Sequence, residues 1–100
     1  MLARSLIVLA GMFAGWALGA GFDCGKAKST AERLICQHRD LSLLDERLAR
    51  VYGERLSNAS DPQGEVKAQA KWLSHVRDRC GSPSCPQTAY EARLSALNSG

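Results

Sequence analysis

The sequence has no stretch in which apolar and polar residues alternate strictly, and it has no internal repeat or low-complexity tract. Strict alternation is the pattern of a half-buried β-strand, so nothing in the sequence favours a sheet. Apolar residues recur instead at steps of three and four, which is the period of an amphipathic helix. Together these observations predict an all-α fold.

The sequence also lacks an apolar run long enough to cross a bilayer. Its uninterrupted apolar run, residues 6–18, is shorter than the roughly 20 residues that a membrane span needs. The run follows Arg4 and ends in the small residues Gly19 and Ala20, which is the layout of a secretory signal peptide. We therefore predict that residues 1–20 are a signal peptide cleaved after Ala20, with Gly19 as the alternative, and that residues 21–100 form one domain.

A strong excess of charge of either sign is missing. Removing residues 1–20 takes Arg4 from the 13 basic residues and leaves 12 against 10 acids, a net charge of +2. Mixed charges of this kind are typical of a solvated helical surface and not of a nucleic-acid interface. The small-residue lipidation box is also missing, because Phe22 and Asp23 precede Cys24. We expect a periplasmic or secreted protein with no nucleic-acid partner and no stable membrane anchor after cleavage.

No set of catalytic residues is evident. The serines have no nucleophile-elbow motif, and His38 and His75 lie in polar surroundings without an obvious carboxylate partner. A helical bundle built from residues 21–100 leaves little room for a cleft that holds two catalytic acids. We predict that the protein is not an enzyme and needs no cofactor.

Four cysteines, all within residues 21–100, are the main feature that is present: Cys24, Cys36, Cys80 and Cys85. A core this small supplies roughly 3–5 kcal/mol, and a disulfide adds roughly 2–4 kcal/mol. An even number of cysteines behind a signal peptide therefore predicts two disulfides. The alternative is a zinc site, but the intervals of eleven and four residues do not match the short paired spacing of structural zinc ligands.

Four cysteines allow three pairings, and the sequence does not choose among them. We favour one bond from Cys36 to the turn that holds Cys80 and Cys85, with the other bond bringing in Cys24, because long-range bonds would fix the ends of a helical hairpin. Local pairing, Cys24 with Cys36 and Cys80 with Cys85, remains open.

Capping residues and apolar periodicity predict about four helices. Ser29 and Glu32 form a capping box before a helix over residues 30–37. Asp40 is the predicted N-cap of the longest helix, which the polar loop 57–64 separates from a third helix over 65–80. Pro86 suits the first position of a fourth helix.

The apolar period also predicts which side of each helix is buried. The predicted buried residues of the second helix are Leu41, Leu44, Leu48, Val51, Tyr52 and Leu56. Those of the third helix are Val66, Gln69 or Ala70, Leu73, Val76 and Cys80, and those of the fourth are Ala89, Tyr90, Leu94 and Leu97. The second and third helices would form a central antiparallel hairpin.

The order of these features resembles a known family. The matching segments are Phe22-Asp23-Cys24, Glu32-x-x-Ile35-Cys36, Leu44-Asp45-x-x-Leu48-x-x-x-Tyr52, Gln69-x-x-Trp72-Leu73, Arg77-Asp78-x-Cys80, Cys85 and Tyr90-x-x-Arg93-Leu94. In this order they resemble the lysozyme inhibitor LprI-like N-terminal domain family, which consists of small exported bacterial domains. The resemblance implies a disulfide-bonded helical bundle over residues 21–100.

The positions that match the family motif are Asp45, Tyr52, Gln69, Trp72, Arg77, Tyr90 and Arg93. We interpret them as structural, with the charged members paired between helices, because an unpaired buried charge would cost several kcal/mol. Asp78 is a candidate member of the same network. Pro86 directly after Cys85 departs from the family pattern, in which leucine often follows the last cysteine.

By this resemblance, the function is that of a protein-binding module that inhibits lysozyme, with a lysozyme or another envelope protein as partner. An exposed basic side chain could then bind the carboxylates of the enzyme's cleft. The candidates are Arg39, Lys67 and Lys71. The alternative function is a non-inhibitory structural or accessory domain of the cell envelope, without catalytic activity.

Overall fold

A computed structural model describes residues 21–99; the predicted signal peptide, residues 1–20, lies outside the described residues. Over that range the chain forms four α-helices and two single 3₁₀ turns, and no strand. The helices are α1 (Thr30–Gln37), α2 (Arg39–Asn58), α3 (Pro62–His75) and α4 (Ser84–Ser99). The 3₁₀ turns are Cys24–Lys26, before α1, and Arg77–Arg79, between α3 and α4. The all-α prediction is confirmed.

The capping box explains where α1 begins. The backbone N–H of Glu32 donates to the Ser29 hydroxyl at 3.0 Å, and the backbone N–H of Ser29 donates to Glu32 Oε1 at 3.1 Å. Two otherwise unbonded N–H groups are satisfied in this way. The helix covers the residues predicted from the sequence, and it buries Ala31 and Ile35.

The prediction that Asp40 caps α2 is wrong. The helix begins two residues earlier, at Arg39, with His38 at the N-cap and no side-chain capping bond. The backbone N–H of Ser42 donates to His38 O at 3.0 Å, and the Ser42 hydroxyl donates to Ile35 O at 2.6 Å. These bonds join α1 and α2 through a one-residue corner, so Asp40 falls within the first turn, where its charge favours the helix N-terminus.

The predicted loop 57–64 is too long, because α2 continues to Asn58 and α3 already begins at Pro62. Asp61 is the N-cap of α3 and accepts a bond from the Gly64 backbone N–H at 3.2 Å. Proline is well suited to the first helical position, where its missing N–H would have no partner.

The predicted end of the third helix is also wrong. It stops at His75 and not at Cys80, because Val76 has a φ of −119° and the chain then tightens into the turn Arg77–Arg79. The predicted apolar face of this helix is buried only in part. Val66 and Val76 are 44% and 43% exposed, whereas Gln69 and Leu73 are partly buried and Cys80 is buried. The reason is that α3 turns its Glu65, Gln69 and Trp72 side towards the bundle, where the polar members have partners on other helices.

The core lies along α2, against which α1 and α4 pack. Its buried members come from three helices and are Ile35, Leu41, Leu48, Tyr90, Leu94 and Leu97. Phe22, Leu44, Val51, Tyr52 and Trp72 pack around this cluster. Pro86, in the first turn of α4, is fully buried. No helix within residues 21–99 combines the length and apolar character that crossing a membrane requires.

All four cysteines form disulfides, but the favoured long-range pairing is wrong. The bonds are local: Cys24 to Cys36 and Cys80 to Cys85, with Cα–Cα distances of 5.9 and 5.4 Å. The 3₁₀ turn Cys24–Lys26 lies against the end of α1, which places Cys24 beside Cys36. Residues 81–84 turn back at the start of α4, which places Cys80 beside Cys85. No cysteine in the described chain is left free to bind zinc.

Candidate functional site

Three residues predicted as motif positions meet inside the bundle. Asp45 comes from α2, Arg77 from the second 3₁₀ turn and Tyr90 from α4, with relative exposures of 7%, 6% and 0%. The Tyr90 hydroxyl donates to Asp45 Oδ1 at 2.5 Å, and Arg77 Nη1 lies 3.7 Å from the same oxygen. A buried carboxylate is thus held between a phenol and a guanidinium from two other elements.

Arg77 is the centre of this network because it faces two further carboxylates. Its Nη2 lies 3.1 Å from Glu32 Oε2 and 2.8 Å from Asp78 Oδ1, and its Nε donates to Asp78 Oδ1 at 2.9 Å. The guanidinium also lies over the Phe22 ring, 5.2 Å from the ring centroid. One cation therefore joins the N-terminal segment, α1 and α2, and we call Glu32, Asp45, Arg77, Asp78 and Tyr90 the Arg77 network.

The Arg77 network shifts the pKa values of its members. Burial raises the pKa of Glu32, but backbone hydrogen bonds and the charge of Arg77 outweigh burial and hold that pKa below its ordinary value. Burial lowers the pKa of Arg77, but the oxygens of Tyr90, Asp78 and Asp45 outweigh it and the pKa is raised. Burial, followed by the charge and hydrogen bond of Asp45, raises the pKa of Tyr90. At neutral pH the tyrosine is therefore a donor, and Glu32 and Arg77 are ions.

Sequence reasoning did not find two contributions to the network. Glu32 is predicted to belong to the capping box and to a family-motif segment, but neither prediction includes the contact of its second oxygen, Oε2, with Arg77. A capping carboxylate has two oxygens, and this one uses Oε1 for the cap, so a free acceptor was foreseeable. The backbone N–H of Gly21 donates to Asp45 Oδ2 at 2.5 Å, and no sequence signal pointed to that contact.

The remaining motif positions lie in helix contacts. Arg93 on α4 donates from Nε to Gln69 Oε1 on α3 at 3.0 Å. The rings of Trp72 and Tyr90 are 5.5 Å apart and tilted by 58°. Tyr52 is half-buried at the edge of the core. These contacts join α3 to the other helices and do not converge on an outward-facing cleft.

Arg93 is less completely paired than Arg77. Its Nη2 is buried and has no hydrogen-bond partner within the described chain. Burial lowers the pKa of Arg93, Glu65 and Tyr52 raise it, and Arg55 lowers it, so that the pKa lies below its ordinary value. Arg55 itself donates to Glu65 Oε1 at 3.0 Å and to the Leu97 carbonyl at 2.9 Å.

A cleft of about 450 Å³ lies where the end of α2 meets the start of α3 and the end of α4. Its lining includes Val51, Glu54, Asn58 and the paired residues Arg55 and Glu65. Because the two opposite charges bind each other, the cleft does not present a free ionic group from that pair to a ligand. Within residues 21–99, no group of three His, Cys, Asp or Glu side chains is arranged to hold a metal ion.

The three residues predicted to bind a partner are all exposed, but they do not form one cluster. Lys67 and Lys71 lie one turn apart on α3, and Arg39 is the first residue of α2. Glu65, the acid on α3, is already paired with Arg55. The exposed side of α3, which we call the α3 face, therefore carries Lys67, Lys71 and the 44% exposed Val66 without a compensating acid of its own.

Comparison with known proteins gives a consistent result. A family profile described as "Lysozyme inhibitor LprI" matches residues 24–99. Proteins named Lipoprotein LprI from Mycobacterium tuberculosis (strain ATCC 25618 / H37Rv) and Mycobacterium bovis (strain ATCC BAA-935 / AF2122/97) are each 34% identical over 83 residues. The alignment covers 79% of this chain and 41% of each relative, so the chain spans about two fifths of the length of these relatives. No solved structure matches the chain.

Proposed function

The chain belongs to the lysozyme inhibitor LprI family, and on that premise we propose that residues 21–100 form an exported module that binds and inhibits a lysozyme. The family match over residues 24–99 is the observation that carries the proposal. The match includes both disulfides and all four helices. The family's description is that of an inhibitor, which acts by binding and needs no catalytic group or cofactor of its own.

The disulfides support export to the periplasm or the medium. Disulfides persist in oxidising compartments and are rare where thiols are kept reduced. In the loop-entropy picture, rings closed by sequence separations of 12 and 5 residues contribute about 3 and about 2 kcal/mol. Contributions of this size are comparable to what the core of so small a bundle supplies.

The α3 face is the surface that we propose for contact with the enzyme. Residues four apart on a helix lie on the same side, so Lys67 and Lys71 present two ammonium groups in one direction. Val66 adds an exposed apolar side chain next to them. The helix is also the most peripheral of the four, because it has no fully buried residue.

The chemistry of glycoside hydrolysis explains why a basic surface would inhibit. Most such enzymes use two carboxylates that flank the scissile bond, so their clefts are locally acidic. An ammonium group offers three donors, and hydrogen bonds between ions are roughly twice as strong as neutral ones. A lysine from the α3 face would bind these carboxylates and block the substrate. A net charge of +2 gives no long-range attraction to a basic enzyme, so the contact depends on these local groups.

The test is a titration of muramidase activity with the purified, oxidised protein. We expect activity to fall to zero as the protein is added. The double variant Lys67→Glu/Lys71→Glu should weaken inhibition at least tenfold, because reversing charges beside a carboxylate replaces attraction by repulsion. The matched control is Arg47→Glu/Arg50→Glu, which makes the same charge change at two exposed positions of α2 and should leave inhibition unchanged.

Two outcomes separate the parts of the proposal. An absence of inhibition at micromolar excess of a folded, oxidised protein contradicts the inhibitor function. Inhibition that both double variants retain equally keeps the function but removes the α3 face from it. Arg39→Glu then tests the remaining candidate, at the start of α2.

A second candidate is a structural or accessory domain of the cell envelope that does not bind lysozyme. The observation that favours it is that the motif residues are used within the bundle, where Asp45 binds Tyr90 and Arg93 binds Gln69. The chain also spans only about two fifths of the relatives named LprI, so their activity as whole proteins is not transferred with the match. This candidate predicts a folded protein without effect in the titration.

A further inference from the structure

The backbone nitrogen of Gly21 lies in an unusually favourable place for a positive charge. It donates to Asp45 Oδ2 at 2.5 Å, while the other oxygen of that carboxylate accepts from Tyr90. Asp45 is only 7% exposed. A buried carboxylate with one oxygen directed at the backbone nitrogen of Gly21, the residue that follows the predicted cleavage position, is the starting observation.

The local charge balance favours an additional cation. The network holds three carboxylates, from Glu32 on α1, Asp45 on α2 and Asp78 in the 3₁₀ turn, and one guanidinium, Arg77. With Tyr90 of α4 neutral, the sum of these charges is negative. An opposite charge within about 4–6 Å favours the ionised form of a group, and the carboxylate of Asp45 is in direct contact with the Gly21 nitrogen.

The fit around Gly21 is close. A Cβ at this position would lie 3.1 Å from the Cβ of Ala49 and 3.1 Å from Asp45 Oδ2, so a larger residue would require these neighbours to move slightly. The following residues hold the segment in place, since the Phe22 ring lies beneath the Arg77 guanidinium and Cys24 is bonded to Cys36. The contacts of Phe22 and Cys24 therefore hold the segment in place, and the absence of a side chain on Gly21 lets its nitrogen approach Asp45.

We propose that the amino terminus created by the predicted cleavage after Ala20, the nitrogen of Gly21, binds Asp45 as an ammonium ion. A leader peptidase hydrolyses the Ala20–Gly21 bond with one water: the carbon–nitrogen bond breaks, the water oxygen joins the Ala20 carboxyl, and the Gly21 nitrogen becomes an amine that takes up a proton. An unconstrained α-amino group has a pKa of about 7.7–8.0, so it is mostly charged at neutral pH.

Processing then strengthens the folded domain. In the uncleaved chain the contact is a hydrogen bond from a neutral amide, whereas in the cleaved chain it is a bond between ions. The folded pKa of the amine is raised above its unfolded value. The added stability is therefore fully present below about pH 7.7 and is lost as the pH rises through the folded pKa. The ammonium group of Gly21 would thus add an ionic bond with Asp45 to the bonds of the Arg77 network.

The experiment starts from the full chain, exported and purified without reduction. Mass spectrometry of the intact product should give an amino terminus at Gly21. NMR titration of that amine should give a pKa at least one unit above the unconstrained value, which corresponds to a tenfold preference for the bound ammonium. A product that begins at another residue, or an amine that titrates at the unconstrained pKa, overturns the proposal.

An insertion variant tests the effect of the positive charge on the Gly21 nitrogen by itself. Inserting a serine between Ala20 and Gly21 makes the nitrogen of Gly21 an amide again, and mass spectrometry verifies that the serine is retained. The normal product should melt at a higher temperature than the insertion variant at pH 6, and the difference should disappear by pH 10. Asp45→Asn should remove the difference at pH 6; if that variant does not fold, the amine titration of the unaltered protein decides.

Discussion

Replacing Arg77 by methionine tests the network that connects the helices. Methionine is of similar length and apolar, so the change removes the charge and its hydrogen bonds while it keeps much of the packing. Breaking a buried ion pair by removing one partner costs about 3–5 kcal/mol, because the other charge stays buried and unpaired. The side chains of Arg77 and Asp45 are only 7% and 9% exposed, so removing Arg77 leaves a buried carboxylate that keeps only its hydrogen bonds from Tyr90 and Gly21.

The other two partners reduce the expected cost. The side chains of Glu32 and Asp78 are 21% and 31% exposed, so water screens the charges left behind there. We therefore expect the lower end of the range, a loss of about 3 kcal/mol in the free energy of unfolding. Domains of ordinary stability have about 5–15 kcal/mol in total, so this loss would be a large part of it.

The assay is urea unfolding of the oxidised protein followed by circular dichroism. Arg79→Met is the matched control, because Arg79 is exposed, lies in the same 3₁₀ turn and should lose less than about 0.5 kcal/mol. If both variants unfold at the same urea concentration, the Arg77 network does not hold the helices together and the reasoning is refuted.

Three further predictions concern the network and the core. Tyr90→Phe should lower the free energy of unfolding by about 1.5–3 kcal/mol, because Asp45 loses a hydrogen bond to a charged group; an unchanged urea midpoint would contradict this. Ile35→Ala should cost about 2–5 kcal/mol, because it empties a fully buried site, whereas Leu43→Ala, at a 47% exposed position, should cost far less in the same assay; equal losses would refute the assignment of the core. The pKa of Glu32 is lower in the folded state than in the unfolded state, so its contribution to stability is present above about pH 4.3 and is lost as the pH falls through the folded pKa. Thermal unfolding between pH 7 and pH 2 should show this loss, and Glu32→Gln should lower the stability at pH 7 and flatten the profile.

Local signals were sufficient where the partner lies nearby in sequence. The Ser29–Glu32 capping box predicts the start of α1, because all of its bonds are made within one turn. The long apolar period likewise predicts α2, and its error is confined to Asp40, where a corner with α1 decides the first turn. Residue types and spacing therefore gave most of the helical bundle.

The sequence did not predict those features that depend on contacts between residues far apart in the chain. The buried side of α3 was predicted only in part. Gln69, a predicted member, bonds to Arg93 of α4, but the predicted member Val66 is exposed. Glu65, which was not predicted to face the bundle, bonds to Arg55 of α2. The same limit applies to the disulfides, whose pairing depends on which chain segments lie together. The charged motif positions came from family resemblance, whereas the place of Gly21 beside Asp45 came only from the structure.

Both disulfides join cysteines that are consecutive in the sequence. Each bond therefore closes a small ring within one part of the chain, and neither ring encloses a cysteine of the other bond. A reductant can open either ring without opening the other, so the two bonds constrain separate segments of the chain.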